Sequence, residues 1–286
     1  MEWTKAISEA IEYIESNLTE DISAEDAARQ VNISSFYFQK GFAMLCGYTV
    51  SEYIRNRRLA LAAGELADGA KVIDTAIKYC YDSPDSFAKA FYRFHGVTPS
   101  MVQKNSTMIK AFAPLKITLT LKGGYTMDYR IVKKDSFTVL GAMKKFSYEN
   151  ATTDIPLFWD EHYQKGNGKY VGGMFGVCID GEMQDSDFDY MIADIYNPAV
   201  DIPDGFVTKT IPAFTWAVFP IKGAMPDALQ DVNKKIFSEW LPALGDYDIA
   251  AGYSVEMYDD PKQYPKGTED ENYYSEIWIP VKKKNA

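Results

Sequence analysis

The sequence has little of three features that would assign a class at once: cysteine, histidine and long apolar runs. Three cysteines and two histidines occur among 286 residues. Cys46, Cys80 and Cys178 lie far apart, so they form neither a disulfide framework nor a metal-ligand spacing, and we expect no metal and no cofactor. No run of about 18 apolar residues exists, which argues against a membrane span. The charged stretch at residues 1–15 lacks the apolar core of a secretion signal. Together these absences predict a cytoplasmic protein.

An excess of positive charge is also missing. The chain carries 30 Lys and Arg against 40 Asp and Glu, a net charge of -10, whereas nucleic-acid-binding domains are usually basic. Residues 1–106 hold 11 basic against 14 acidic residues, and residues 107–286 hold 19 against 26, so neither half is basic. Any DNA binding by this chain is therefore expected to be weak and sensitive to salt.

The hydrophobic pattern changes partway along the chain, whose length suits two domains. Apolar residues three or four apart, such as Ile7, Ile11 and Ile14, are typical of helices and occur throughout the first hundred residues. Alternating and β-branched runs over 116–122 and 137–143 are typical of strands. We predict an all-α domain over residues 1–106, a linker over 107–126 and an α+β domain over 127–286.

The helical half contains a repeated pair of short helices. Ser23, with Asp26 three residues later, predicts a capped helix start. A second helix opens at Ser34 or Ser35 and closes at Gly47, so the two form a helix-turn-helix unit. The unit recurs about 50 residues later, where Ser83 and the following proline open a helix of similar sequence. The repetition is more specific than either unit alone.

These residues resemble the AraC/XylS-type DNA-binding domain. The most specific matches are the block Gly96-Val-Thr-Pro99 and residues 53–60, which would form the bridge between the two units. The resemblance implies seven helices, double-stranded promoter DNA as the partner, and RNA polymerase as a second partner at the promoter. The family commonly continues past Pro99 with an aromatic residue and an arginine. This chain has Ser-Met-Val-Gln-Lys instead, so one phosphate contact is expected to be absent or moved to Lys104.

In a recognition helix the outward positions face the base edges and the apolar positions lie in the core. We expect Phe38, Phe42, Phe87 and Phe91 in the core, and the resemblance assigns base reading to Phe36, Gln39 and Lys40. The arginines of the bridging helix would, by themselves, indicate a solvated helix face, but the double unit favours a role at DNA. The residues expected to contact DNA are Phe36, Gln39, Lys40, Arg55, Arg57, Arg58, Ser86, Lys89 and Arg93.

The second half also contains a repeat. Residues 133–143 resemble 209–219, and residues 173–177 resemble 252–256. Each copy reads strand, strand, helix, strand, strand. Two such β-β-α-β-β modules predict two antiparallel sheets flanked by helices, with a crevice on the pseudo-two-fold axis.

Residues 127–284 resemble the GyrI-like effector-binding domain, most specifically over the strand at 274–281. The resemblance places an acidic residue, here Glu276, at the floor of a pocket with aromatic walls. A carboxylate among aromatic side chains is costly unless paired, and a flat cationic ligand would pair it and gain cation–π attraction. A solvent-exposed edge or a nearby lysine would serve as well, and each aromatic residue could equally belong to the core. The expected ligand residues are Glu276, Tyr274, Trp278, Trp216, Tyr253, Phe175, Tyr190 and Trp159.

We therefore predict a DNA-binding transcription regulator whose C-terminal domain binds an amphipathic small molecule, cationic in the favoured case. No residue is assigned a catalytic role. One alternative is a GyrI-like hydrolase in which Glu276 and a neighbouring tyrosine act as base and acid, although His162 is the only histidine in that half. Another is a protein that sequesters drugs. The acidic loop at 180–189 lacks the glycine and the terminal glutamate of a calcium loop, so we interpret it as solvated turns.

Overall fold

The structure, a computed structural model, describes residues 3–104, 109–116, 127–180 and 187–284. The run at 116–122 that predicts a strand, most of the linker at 107–126 and most of the acidic loop at 180–189 lie outside these residues. The contacts divide the chain into two compact units. One unit holds the described residues of 3–33 and 46–120, and the other those of 34–45 and 121–286. The segment at 34–45 therefore groups with the strands, whereas the sequence places it within the helical domain.

Within residues 3–104 the structure has seven α-helices, the number that the resemblance implies. The pairs α2–α3 and α5–α6 are the two predicted helix-turn-helix units, and α4 is the long helix between them. In chain order the helices are α1 (Trp3–Ser16), α2 (Ala24–Gln30), α3 (Ser35–Cys46), α4 (Val50–Ala67), α5 (Val72–Lys78), α6 (Pro84–His95) and α7 (Pro99–Lys104).

The helix starts predicted from polar residues are confirmed. The Ser23 side chain accepts the backbone N–H of Asp26, and the Asp26 side chain accepts that of Ser23 in return, which forms a capping box. Ser83 caps α6, whose first turn holds Pro84. The helix ends at Gly96, where φ is +80°, a left-handed conformation that favours glycine. Each such cap stabilises its helix by about 1 kcal/mol.

His95, at the end of α6, has a structural role in the compact unit that holds residues 3–33 and 46–120. Its Nδ1 accepts the backbone N–H of Lys110 at 3.1 Å, so Nε2 carries the proton and donates to the carbonyl of Leu59 at 3.0 Å. Burial lowers the pKa of His95, which keeps the ring neutral. The ring packs on Phe91, which is fully buried together with Phe87, as the sequence predicts.

The second half of the chain alternates strands with two long helices. The elements are β1 (Arg130–Lys134), β2 (Phe137–Ser147), α8 (Ala151–Gln164), β3 (Phe175–Ile179), β4 (Asp187–Ile195), β5 (Val207–Ile211), β6 (Phe214–Lys222), α9 (Asp227–Lys235), β7 (Tyr247–Ile249), β8 (Tyr253–Tyr258) and β9 (Tyr274–Lys283). Helix α9 continues directly into a π-helical turn over Ile236–Trp240.

The nine strands of the described residues form one antiparallel sheet, in the order β1-β6-β9-β8-β3-β4-β2-β5, with β7 pairing to β9. The prediction of two separate sheets is wrong, because β3 of the first copy pairs with β8 of the second and joins them at the centre. The first strand of each copy crosses to the other copy: β1 pairs with β6, and β5 pairs with β2. The predicted pseudo-two-fold repeat is confirmed by this order.

The two faces of the sheet carry different side chains, because successive residues of a strand point to opposite sides. One face forms a hydrophobic core that includes Phe175, Trp216 and Trp278. The other carries Gly176, Tyr190 and Glu256, and we call it the helix-side face, because Trp159 of α8 bonds to Tyr190 there.

Candidate functional site

An acidic residue that the sequence analysis did not assign lies on the helix-side face. Glu256 accepts hydrogen bonds from the hydroxyls of Tyr258 at 2.8 Å and Tyr190 at 3.1 Å. The Tyr190 oxygen in turn accepts the indole N–H of Trp159 at 3.0 Å. We call these four residues the Glu256 cluster. Burial, reinforced by the charge of Glu256, raises the pKa of Tyr190 and that of Tyr258 well above the usual tyrosine range. Both hydroxyls are therefore neutral and donate hydrogen bonds.

The carboxylate of Glu256 forms no ion pair with any Lys, Arg or His of the described residues. Neutral hydroxyls stabilise a carboxylate without cancelling its charge, so the cluster keeps a net negative charge among aromatic rings. The Glu256 side chain is half-buried. The match of residues 173–177 with 252–256 aligns Glu256 with Val177, but Val177 lies in the hydrophobic core on the opposite face of the sheet, so the repeat does not single out Glu256.

Two glycines make room for the cluster. A Cβ atom at Gly176 would lie 2.2 Å from the Tyr190 hydroxyl and 2.9 Å from a Glu256 carboxylate oxygen. At Gly173, where φ is +82°, it would lie 2.5 Å from the ring of Trp159. The chain therefore approaches the three polar or aromatic groups more closely than any larger residue allows.

A further polar atom of the helix-side face has no partner. Ser254 lies two residues before Glu256 on β8, is 1% exposed, and its hydroxyl makes no hydrogen bond to the part of the chain that the structure describes. An unsatisfied buried hydroxyl costs about 1–3 kcal/mol. Ser254 and Glu256 thus offer an unpaired hydroxyl and an uncompensated carboxylate on the same face of one strand.

Glu276, the acidic residue chosen from the sequence, lies on the opposite face and is compensated within the chain. It accepts hydrogen bonds from Arg130 at 2.5 Å, from the Tyr274 hydroxyl at 2.6 Å and from the Trp278 indole at 2.6 Å. Burial raises the pKa of Glu276, but the three donors outweigh it and the net shift is downward. The strand alternation placed Tyr274, Glu276 and Trp278 correctly together. The cation beside Glu276 is Arg130, rather than the ligand or the lysine that the sequence analysis considered, and contact of Glu276 with a ligand stays a prediction.

The other predicted ligand residues divide between the two faces. Phe175 and Trp216 pack against Trp278 in the hydrophobic core, with ring centroids 5.8 and 6.0 Å away, and Tyr253 packs against the same core. Trp159 and Tyr190 belong to the Glu256 cluster instead. The sheet therefore separates the eight predicted residues, and one pocket cannot contain them all.

Two family models match the chain. A helix-turn-helix domain matches residues 27–105, and the model described as Cass2, integron-associated effector binding protein, matches residues 130–281, more than half of the chain. The chain is an AraC-type regulator with a Cass2 effector-binding domain. The predicted family, fold class and function are thus confirmed: the protein is a DNA-binding transcription regulator with a domain that binds a small-molecule effector.

Individual relatives match one half of the regulator or all of it. The HTH-type transcriptional activator AarP of Providencia stuartii is 40% identical over 102 residues, which is 35% of this chain and 76% of that protein. The right origin-binding protein of Escherichia coli K12 is 23% identical over 299 residues, 99% of this chain and 100% of its own. A solved structure of SAV2435 bound to tetraphenylphosphonium is 26% identical in sequence and has a TM-score of 0.47. The match covers 55% of this chain and 94% of the SAV2435 chain.

Two of the three arginines of the regulator's bridging helix α4 bind residues 15–20, at and just after the end of α1. Arg57 is 8% exposed and forms an ion pair with Glu15 at 2.8 Å. Arg58 donates to the backbone carbonyls of Leu18 and Glu20. The guanidinium of Arg57 therefore joins α4 to α1, and its expected contact with DNA stays a prediction. Arg55 is exposed, and its contact with DNA stays a prediction.

The second recognition helix, α6, presents its predicted DNA residues to solvent. Ser86, Lys89 and Arg93 are all exposed, while Lys89 forms an ion pair with Asp85 at 2.8 Å. The carboxylate lowers the positive charge that Lys89 can offer to a phosphate. Contacts from this helix to DNA stay a prediction, and the ion pair is consistent with weak binding.

The first recognition helix, α3, differs from α6. Phe36 is 1% exposed and Gln39 is 7% exposed, against the expectation that both face outward, and Lys40 is half-buried. These residues belong to the compact unit that contains the sheet, where Phe36 and the neighbouring Tyr37 form hydrogen bonds with Asp180 and Tyr253. In this arrangement α3 does not present its base-reading side chains.

Over the described ranges no helix has the length and apolar character that a membrane crossing requires. No group of three or more potential metal-ligating side chains occurs there either.

Proposed function

We propose that the effector of this regulator is an amphipathic aromatic cation and that it binds at the Glu256 cluster. The observation that carries the proposal is the set of hydrogen bonds to the cluster's acid: a carboxylate held by two neutral hydroxyls, without an ion pair to any described Lys, Arg or His. A cationic ligand would supply the missing positive charge. The relative AarP is a transcriptional activator, and we propose that the site in this chain binds its ligand without chemistry.

The aromatic side chains fit the same ligand class. Trp159 is half-buried, and its ring packs edge-on against Tyr258 with centroids 5.5 Å apart. A cation over such a ring gains about 0.5–2 kcal/mol, most where water is excluded. Carboxylate and rings together would favour a flat organic cation over an inorganic one, because only the organic ion contacts both.

Glu276 is the weaker candidate for the same role. A cationic ligand there would have to displace Arg130, whose guanidinium already lies 2.5 Å from the carboxylate. The exchange of one cation for another gains little, whereas Glu256 has no cation to lose. Tyr274, Trp278, Trp216, Tyr253 and Phe175 remain proposed ligand residues only for this second site.

A pair of dyes tests the assignment. Rhodamine 6G is a cation, and rhodamine B has the same ring system with a free carboxylate that cancels the charge. Glu256→Gln should weaken rhodamine 6G binding by about tenfold or more, the scale of one charge-assisted interaction, and change rhodamine B binding less than about threefold. Fluorescence anisotropy of each dye with the full chain measures both.

The matched variant is Glu276→Gln, which removes the same charge from the opposite face. It should leave rhodamine 6G affinity within about threefold of the unmodified chain, since Arg130 already neutralises Glu276. Equal losses of both dyes on Glu256→Gln would contradict a charge-selective site. A larger loss on Glu276→Gln would transfer the site to the other face.

We further propose that promoter DNA is read by α3 and α6. Two such helices on one chain would enter successive major-groove segments about 34 Å apart, so that a monomer occupies a bipartite site. RNA polymerase is the partner that the resemblance implies at such a promoter, and the cytoplasm is the compartment in which we expect it. The drug-sequestering alternative would apply if the chain bound the dye but showed no salt-dependent binding to the promoter DNA upstream of its own gene.

A further inference from the structure

The helix-side face already has an occupant, helix α3. At the first turn of α3, the backbone N–H of Phe36 donates to the carboxylate of Asp180 at 3.2 Å. One residue further, the Tyr37 hydroxyl donates to the carbonyl of Tyr253 at 2.5 Å. Asp180 follows β3 directly and is 4% exposed, so this is a buried contact.

Aromatic contacts place α3 across both copies of the repeat. The Phe36 ring lies 5.9 Å from Phe188, which shares the helix-side face with Tyr190 because the two are two residues apart on β4. The Tyr37 ring lies 6.4 Å from Phe237, in the π-helical turn of the second copy. Helix α3 therefore spans the pseudo-two-fold axis, where the sequence predicts the effector crevice.

Lys40 brings a cation close to the Glu256 cluster. Its ammonium lies 5.9 Å from the centre of the Phe237 ring and 5.6 Å from that of Phe36. Lys40 and Glu256 both act electrostatically on the thiol of Cys178. Burial raises the pKa of this thiol to about 12, while Lys40 acts to lower that pKa and Glu256 to raise it. The helix thus presents aromatic rings and an ammonium group, the same chemistry that the proposed effector has.

We infer that α3 and the effector are alternative occupants of the helix-side face. An effector that binds at the Glu256 cluster displaces α3, and the displacement uncovers Phe36, Gln39 and Lys40 for DNA. The inference rests on the proposed function, because it requires a cationic effector at that cluster. It gives the regulator two exclusive states, one with α3 on the sheet and one with α3 on DNA.

Asp180 has a specific part in this exclusion. Backbone N–H groups at the start of a helix bind anions, and in protein–DNA complexes they contact phosphates. In this structure the Asp180 carboxylate takes that position on α3, so it stands where a DNA phosphate would be. The same N–H group cannot donate fully to both anions, and the two partners therefore compete for the start of α3.

Asp180→Asn tests the inference in the full chain. The change keeps the shape of the side chain and removes the charge, so α3 should leave the sheet more often. We expect affinity for promoter DNA, measured by gel mobility shift without effector, to rise on the order of tenfold, the worth of one hydrogen bond to a charged group. Asp204→Asn removes one charge from an exposed loop position and should raise the affinity less than about twofold.

Rhodamine 6G provides a second test of the competition between α3 and the effector. It should raise the DNA affinity of the unmodified chain several-fold, and DNA should raise the affinity for the dye by the same factor. The dye should have little effect on DNA binding by Asp180→Asn, in which α3 is already released, and none in Glu256→Gln. A direct readout that needs no variant is amide hydrogen exchange over residues 35–46, which the dye should accelerate.

Each failure has its own pattern. If dye and DNA both bind but do so independently, or if Asp180→Asn behaves like Asp204→Asn, the competition is contradicted while the proposed function stands. Unchanged exchange of the α3 amides on dye binding would also overturn it, even if a variant failed to fold. Loss of charge selectivity at Glu256 would instead remove the proposed effector site, and the inference with it.

Discussion

Glu276 and Glu256 lie on neighbouring strands, with Met257 opposite Glu276 and Glu256 opposite Ile277, yet they point to opposite faces of one sheet. Both carboxylates accept hydrogen bonds from tyrosine hydroxyls. Glu276 also has a guanidinium, whereas Glu256 has none. Burial among aromatic side chains, which both share, therefore does not identify a ligand-binding acid. The charge of its donors does, because a neutral donor leaves the carboxylate able to attract a cation and Arg130 does not.

The comparison separates stability from binding, and the largest expected effect is on stability. Glu276→Gln should lower the free energy of unfolding by about 2–3 kcal/mol, since it leaves Arg130 unpaired and weakens the acceptor for the buried Trp278 indole. Glu256→Gln should cost about 1 kcal/mol or less, because its donors are neutral. Urea denaturation of the two variants measures the difference. Equal losses of unfolding free energy would mean that the two carboxylates contribute equally to stability.

A glycine substitution should disturb the Glu256 side alone. Gly176→Ala places a methyl group against the Tyr190 hydroxyl and the Glu256 carboxylate, which we expect to cost about 1–2 kcal/mol and to weaken rhodamine 6G binding by about tenfold. Calorimetry and dye anisotropy provide the two measurements. Gly172→Ala is the matched control, because its nearest contact would be an ordinary 3.6 Å from Asp194. A dye affinity that survives Gly176→Ala would place the ligand elsewhere.

The smallest expected effect is a pH dependence on the Glu276 side. The pKa of Glu276 is lower in the folded chain than its ordinary value of 4.5, so its ion pair contributes stability above that pH and loses it as the pH falls through the folded value. The stability difference between the unmodified chain and Glu276→Gln should therefore shrink by about 1 kcal/mol between pH 6 and pH 3.5. Denaturant titrations at both pH values measure the shrinkage. A difference that does not change with pH would show that packing, rather than charge, makes Glu276 important.

Much of this arrangement follows from local sequence. The caps at Ser23 and Ser83, the duplicated helix-turn-helix and the alternation that groups Tyr274 with Glu276 all depend on residues a few positions apart. Local patterns could not show which carboxylate is compensated, because Arg130 lies 146 positions before Glu276. They could not show the burial of Arg57 against Glu15 for the same reason.

The position of α3 was the largest difference from the sequence-based expectation. Phe36 and Gln39 have the spacing of outward residues on a recognition helix, and that spacing describes the helix surface correctly. It does not describe what covers the surface. The partner of the first turn is Asp180, 144 positions away, and nothing near Phe36 in the sequence indicates it.

The exchange of first strands between the two copies has a consequence for how such a domain could arise. Strand β1 completes the second copy and β5 completes the first, so an isolated copy would leave β2 or β6 with an open edge. A half-length ancestor could satisfy that edge only by lending its first strand to a second molecule and accepting that molecule's strand in return. Joining two such genes in tandem would have turned a strand-swapped homodimer into a single chain. The halves were then free to diverge, so that β8 of the second copy could acquire Glu256 while β3 of the first copy carries no charged residue.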